Sequence, residues 1–348
     1  TGYGEGLASP VAADGRVFGG YAGRILVVLT AGCGTLKVAR YALPAVLPLV
    51  IADLGIDSVR AGIALSTIVA AVAITQYPSG RYADGLSRAT VVLVAVGALV
   101  VGLSTLSLSP TYLALLAGAA LLGAGEGLYS PASRALVSDL FDARRGQAFG
   151  VHMMSVDVGG LAAAGAATVL LATGRWRAAF LPLAVLVGLV GLVYLRLNRE
   201  PLPLGRVPLD ARRTARRLLE SPELRLLTVA YCLFMLTIQG VLGFLPTLLQ
   251  SDLDVAPGRA SLVFAALFAA GLAIKPLAGR LSDRVPRPVV GGVATLVGAA
   301  GIAALALAEG PLAAGVATVG VAVGAKGFGP AMQAHLMDLF PDESAGAD

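Results

Sequence analysis

Five ionisable residues, Lys37, Arg40, Glu126, Asp157 and Lys326, stand inside long apolar runs. A charge in such surroundings costs several kcal/mol unless it is paired or faces water, so each is a candidate functional group. Lys37 and Arg40 are three residues apart, which on a helix places them on adjoining flanks of one face. Arginine offers a planar two-pronged fork for carboxylate or phosphate, and lysine a point charge. Both suit contact with an anionic solute; the alternative is a buried salt bridge to Glu126 or Asp157. Glu126 lies in the run Gly123-Ala124-Gly125-Glu126-Gly127, where a carboxylate between close-packed helices is suited to carrying a proton. Asp157, followed by Gly159-Gly160, is a second coupling candidate, with His152 a weaker one more than a turn away. Lys326, flanked by Gly324 and Gly327, supplies a third cation. The remaining lysine, Lys275, lies one turn from Gly279 and reads as reaching for lipid headgroups. Three cations against two carboxylates favour an anion as solute.

These groups need elements that can hold charge within lipid. Of 348 residues 57% are hydrophobic and 14% charged, against about 25% charged in an ordinary soluble domain, and the mean hydropathy is +0.81. A soluble globule is excluded. A helix crossing a bilayer needs about 20 apolar residues, and ten stretches qualify: 25–51, 61–82, 89–108, 112–136, 149–172, 178–195, 224–249, 260–281, 289–307 and 312–337. No ten-residue alternation of apolar and polar positions suggests a barrel. The expected fold class is therefore an all-α polytopic membrane protein. The organisation reads as an N-terminal cytoplasmic segment (1–24), a six-helix bundle (25–197), a basic linker (198–223) and a partial C-terminal bundle of four helices (224–348). Within the linker, 210–219 suits either a short amphipathic helix at the headgroups or a charged loop.

Arginine marks orientation. Loops after the second, fourth, sixth and eighth spans hold Arg81, Arg88, Arg144, Arg145, Arg196, Arg199, Arg280, Arg284 and Arg287, whereas the opposite loops hold Arg60, Arg175, Arg177 and Arg259 beside Asp53, Asp57, Asp252, Asp254 and Glu309. The first set is expected in the cytoplasm, with the N-terminus, in a multi-pass protein of the plasma membrane. The basic residues form no single stripe, so nucleic acid is not an expected partner. Cys33 and Cys232 sit in apolar runs as small hydrophobes.

One offset, 199 residues, repeats along the chain. Asp53-Leu54 recurs as Asp252-Leu253, Gly80-Arg81 as Gly279-Arg280, Asp84 as Asp283, Arg88 as Arg287, Pro131-Ala132 as Pro330-Ala331, and Asp139-Leu140-Phe141 as Asp338-Leu339-Phe340. The chain is read as a duplication. On this plan the second half stops two helices short, and the chain, which starts at Thr1, reads as incomplete at both ends.

The loops Gly80-Arg81-Tyr82-Ala83-Asp84-Gly85-Leu86-Ser87-Arg88 and Gly279-Arg280-Leu281-Ser282-Asp283-Arg284-Val285-Pro286-Arg287 are similar to the G-x-L-A-D-R-x-G-R loop of the major facilitator superfamily. Gly123 to Gly127 with Ser130-Pro131-Ala132 resembles that family's fourth helix, and Gly174 to Phe180 its entry to the sixth. The resemblance implies two pseudo-symmetric six-helix bundles, here lacking the last two helices, and alternating access. It assigns Gly80, Asp84, Arg88, Gly279, Asp283, Arg284 and Arg287 to gating loops. Arg40 resembles the first-helix arginine of organic-phosphate and anion transporters, and Gly-Glu-Gly the fourth helix of anion:cation symporters. The function expected is thus secondary transport of a small organic anion or other small polar solute coupled to protons, by a monomer in the bilayer. An exporter of drugs or hydrophobic metabolites and a non-transporting sensor are the alternatives. No phosphate-binding loop, HExxH or nucleophile–base pair is present, so an enzyme is not expected, nor a metal or cofactor. Prolines 44, 48, 78, 131, 246 and 330 are expected bending points.

Overall fold

A computed structural model describes residues 17–141, 145–203, 205, 222–282 and 284–338, the side chains at 84, 145, 146, 223, 333, 334 and 336–338 excepted. Expectations for residues 1–16 of the N-terminal segment, Arg144, Asp283, most of the linker including 210–219, and the segment from Leu339 onward lie outside the described residues.

The described chain is helical: α1 (Gly20–Ala45), α2 (Leu47–Leu54), α3 (Ser58–Gly85), α4 (Arg88–Ser107), α5 (Tyr112–Leu140), α6 (Arg145–Thr173), α7 (Phe180–Leu197), α8 (Pro222–Thr247), α9 (Pro257–Ser282), α10 (Arg287–Ala306) and α11 (Pro311–Asp338). Ten candidate spans are long and apolar enough to cross a membrane, a form that satisfies every backbone group within its own segment. Leu113, Leu226, Leu236, Leu296 and Leu307 stand exposed, an apolar exterior that lipid tolerates and water does not.

Polar caps set the ends. Ser87 Oγ accepts from the Ala89 N–H (3.2 Å) to start α4, Thr111 Oγ1 from the Ala114 N–H (3.3 Å) to start α5, and Asp57 Oδ1 from the Arg60 N–H (2.7 Å) ahead of α3. The first span, expected as one helix, breaks at Val46 into α1 and α2. Pro48 cannot donate to the Pro44 carbonyl four residues back, and its ring would crowd that oxygen. The seventh span widens after Pro246 into a π turn, Leu248–Asp252, closed by Leu253 N–H to Leu248 O (3.2 Å). The helices around Pro78, Pro131 and Pro330 continue without a break.

The 199-residue offset holds at atomic detail. α10 begins and ends 199 residues after α4, and α11 begins 199 after α5. A Cβ on Gly102 of α4 would lie 2.8 Å from Leu122 N, and one on Gly301 of α10 would lie 2.5 Å from Val321 N. Gly125 approaches the Ala95 carbonyl as Gly324 approaches that of Ala294. Each contact is the other displaced by 199 residues, so the repeat governs helix packing as well as composition.

Two compact units emerge: residues up to 39, 66–159 and 180–208 in the first, and 40–65, 160–179 and 209 onward in the second. Leu26, Leu29, Leu36, Tyr129 and Phe180 lie in the core of the first, where Tyr129 donates to the Leu29 carbonyl (2.9 Å). In the second, Leu227, Ala294, Phe328 and Met332 cluster with Tyr231 and Phe234, the rings of Phe234 and Phe328 stacking at 3.9 Å.

Candidate functional site

In the first unit, glycine decides where the charges meet. A Cβ on Gly127 would strike Thr75 Oγ1 and come within 2.6 Å of Val72 O, and one on Gly123 would strike Ile68 O, so α5 lies backbone to backbone against α3. A Cβ on Gly125 would lie 2.5 Å from Leu99 on α4. Thr75 and Ser79 fasten the approach, their hydroxyls donating to the carbonyls of Ala124 (3.2 Å) and Leu128 (2.7 Å). With its neighbours pressed against α3 and α4, Glu126 reaches α1 and accepts a charged hydrogen bond at Oε1 from Lys37 Nζ. The lysine is fixed from α6: a Cβ on Gly159 would lie 2.6 Å from Lys37 Cβ and 2.7 Å from Gly34 O. Two of the five charges expected from sequence are therefore partners, the pairing weighed there as the alternative to direct solute contact by Lys37.

Asp157, two residues before Gly159, is 1% exposed. One turn and a half earlier, His152 Nε2 shares a hydrogen bond with Ser133 Oγ on α5 (3.2 Å), and Ser155 Oγ donates to the His152 carbonyl (2.6 Å). Among the described residues His152 Nδ1 is buried without a hydrogen-bond partner. The serine link was not foreseen; residues nineteen apart on separate helices carry no spacing signature.

Arg40 and Lys326, in the second unit, are buried at 6% and 9% exposure. The Lys326 ammonium sits 4.7 Å from the centroid of the Phe268 ring, an attraction of a cation for the π face. Phe268 in turn meets Tyr41 at 4.6 Å and Phe264 edge-on at 5.2 Å. Elsewhere in this unit the Trp176 indole N–H donates to Asp53 Oδ2 (3.1 Å), the same oxygen pairs with Arg177 (2.6 Å), and the Arg177 guanidinium lies 4.5 Å from the Trp176 ring centroid.

Of the loop residues, Arg88 pairs with Asp139 and donates to the Ala135 carbonyl (3.2 Å), tying the start of α4 to the end of α5. The repeat counterparts are Arg287 and Asp338; the Asp338 side chain, like that of Asp84, lies outside the described residues. Gly80 and Gly279 have open space where a Cβ would stand. Arg284, Arg287 and His335 line an open cavity of about 460 Å³ at the α9–α10 loop. His335 is nine residues from Lys326, about 13 Å along α11, and neither Lys326 nor Arg40 is among the residues lining this cavity. No group of three or more His, Cys, Asp or Glu suited to a metal occurs among the described residues.

The sequence profile described as Major Facilitator Superfamily matches residues 31–347. No curated protein matches the chain. Among solved structures, a bacterial homologue of the human lysosomal transporter Spinster in an inward-facing, unoccupied conformation is similar at a TM-score of 0.74 and 21% identity, covering 90% of this chain and 74% of that one. The inward-facing, occupied form of such a homologue gives 0.74 and 20%, covering 92% and 74%. A D-xylose–proton symporter gives 0.67 and 19%, covering 94% and 85%. At these identities the likeness to solved structures concerns the fold.

Proposed function

Since the chain belongs to the Major Facilitator Superfamily and is a multi-pass membrane transporter rather than an enzyme, we propose that it carries a small organic anion, or another small polar solute, in symport with protons. The observation that carries this reading is the ion pair between Lys37 and Glu126, buried between α1 and α5. While Glu126 is charged it occupies Lys37. When Glu126 takes up a proton, the ammonium loses the counter-charge that Glu126 supplied, in a medium where charge is costly to leave unbalanced, and a solute anion is favoured beside it. Proton and anion then favour each other's binding, as linkage requires of any two ligands whose binding is coupled. The empty, deprotonated carrier closes the pair again and can return unloaded.

Arg40 and Lys326 supply further cations for the solute, and Asp157 is a second carboxylate available to the coupling ion. Transport proceeds by rocking of the two bundles, 25–197 and 224–348, with the loops around Gly80, Asp84 and Arg88 and around Gly279, Asp283, Arg284 and Arg287 as gates. The protein works as a monomer in the plasma membrane with its N-terminus in the cytoplasm.

Uptake into proteoliposomes of a panel of mono- and dicarboxylates and phosphate esters, with and without an inward proton gradient, tests the proposal. Saturable, gradient-stimulated uptake of an anion is expected. Arg40→Ala should raise its KM about tenfold or more, the effect of losing a charged hydrogen bond. Uptake confined to neutral apolar compounds and indifferent to Arg40→Ala would instead establish the exporter. Anion uptake independent of the proton gradient would remove Glu126 from the coupling role.

A further inference from the structure

Phe268 has no polar atom and drew no attention in the sequence, yet it is 0% exposed. Its ring lies under the Lys326 ammonium, against Tyr41 on α1 and edge-on to Phe264. The fourth side is backbone. A Cβ on Gly160 would collide with Cγ, Cδ1 and Cε1 of this ring, so the ring is seated directly on the bare main chain of α6. A lysine side chain has four rotatable bonds and is otherwise free to place its charge over several ångströms; a ring wedged on three sides gives the ammonium one preferred station.

We propose that Phe268 is the positioning residue for Lys326, with Gly160 as the seat that fixes the ring. The ring holds the ammonium by its π face, and Gly160 keeps the ring from tilting away. This rests on the reading of Lys326 as a solute contact, and the test separates the two.

The chain contains only three lysines, Lys37, Lys275 and Lys326, so protein labelled with [ε-13C]lysine and placed in lipid nanodiscs gives three Cε signals. Lys326→Gln identifies the one of interest. That signal should be displaced upfield by the Phe268 ring current. It should move toward the unperturbed lysine position in Phe268→Leu, shift in Gly160→Ala, and be retained in Phe268→Tyr, while the Lys275 signal stays in place. In proteoliposomes Phe268→Leu and Gly160→Ala should each raise the KM for the transported anion about fivefold with little change in maximal rate. The double variant should do no more than either alone, because both act through one ring, and Phe268→Tyr should restore the parental KM. A Lys326 signal unmoved by Phe268→Leu overturns the positioning role. A signal that moves while the KM stays constant upholds positioning and overturns Lys326 as a solute contact.

Discussion

Replacing Glu126 by glutamine keeps the side chain's shape and removes the charge that Lys37 faces. The two side chains are only 10% and 13% exposed, so water cannot take over the missing role. Removing one member of a buried pair typically costs about 3–5 kcal/mol, because the remaining charge is left uncompensated. Lys37→Met should cost somewhat less: either group left alone can shed its charge, but at neutral pH an ordinary carboxyl is about 3 pH units from neutralisation and an ordinary ammonium about 3.5. The double variant Lys37→Met/Glu126→Gln leaves neither member of this pair as a lone ion and should recover most of the loss, as replacement of buried pairs by neutral groups often does. The order of stability is therefore parent and double variant together, Lys37→Met below them and Glu126→Gln lowest. Thermal unfolding of detergent-solubilised protein, followed through the fluorescence of Trp176, the sole tryptophan, reads this order. In proteoliposomes Glu126→Gln should also lose stimulation by a proton gradient while retaining solute exchange. Equal stability of Glu126→Gln and the parent would show that Lys37 does not depend on this carboxylate, and the coupling argument would go with it.

Three further perturbations probe the framework. Gly127→Ala adds a Cβ that would strike Thr75 and lie 2.6 Å from Val72 O, a backbone atom that cannot step aside; a loss of about 1–3 kcal/mol is expected by thermal unfolding, with uptake reduced because Glu126 is displaced. Gly80→Ala meets nothing within 4 Å and lies inside α3, so helix propensity should make it neutral or stabilising by up to about 1 kcal/mol; an accompanying fall in transport rate would mark that glycine as a gating residue, and unaltered transport would remove it from the gate. Asp53→Asn weakens the acceptor shared by Trp176 and Arg177; Asp53 is 43% exposed, so only about 1 kcal/mol is expected, with a shift in tryptophan emission.

The spans were legible because a bilayer demands long apolar helices whatever else the chain does, and ten spans stand where composition put them. The breaks at Val46 and Leu248 were legible only as prolines. Whether a proline bends, splits or widens a helix depends on neighbouring helices, which explains why Pro131 and Pro330 leave theirs continuous. The five buried charges were legible one by one, since lipid makes each conspicuous. Their partners were not: Lys37 and Glu126 are 89 residues apart, and what joins them is the absence of side chains at Gly125, Gly127 and Gly159. Phe268 was invisible, because one aromatic among many apolar residues becomes distinctive only when Lys326 and Gly160 are seen against it.

The duplication explains this unevenness. Contacts reproduced at an offset of 199, Gly102 with Leu122 and Gly301 with Val321, or Gly125 with Ala95 and Gly324 with Ala294, are close backbone approaches that carry no charge. The buried charges depart from the offset. Lys37 corresponds to Leu236, Arg40 to Gln239 and Glu126 to Ala325, while Lys326 corresponds to Gly127. The consequence is physical: where the first half has Gly127 pressed on α3, the second has a lysine whose bulk must be housed, and the ring of Phe268 houses it, standing where the first half has Val69. A symmetric scaffold with an asymmetric set of charges is what a carrier needs if its two halves are to move alike while binding one solute and one coupling ion at different places. Restoring the symmetry with Lys326→Gly should accordingly leave the helices packed and abolish high-affinity uptake. Unfolding of that variant would show instead that the lysine serves the scaffold, and unchanged uptake would show that its charge serves neither.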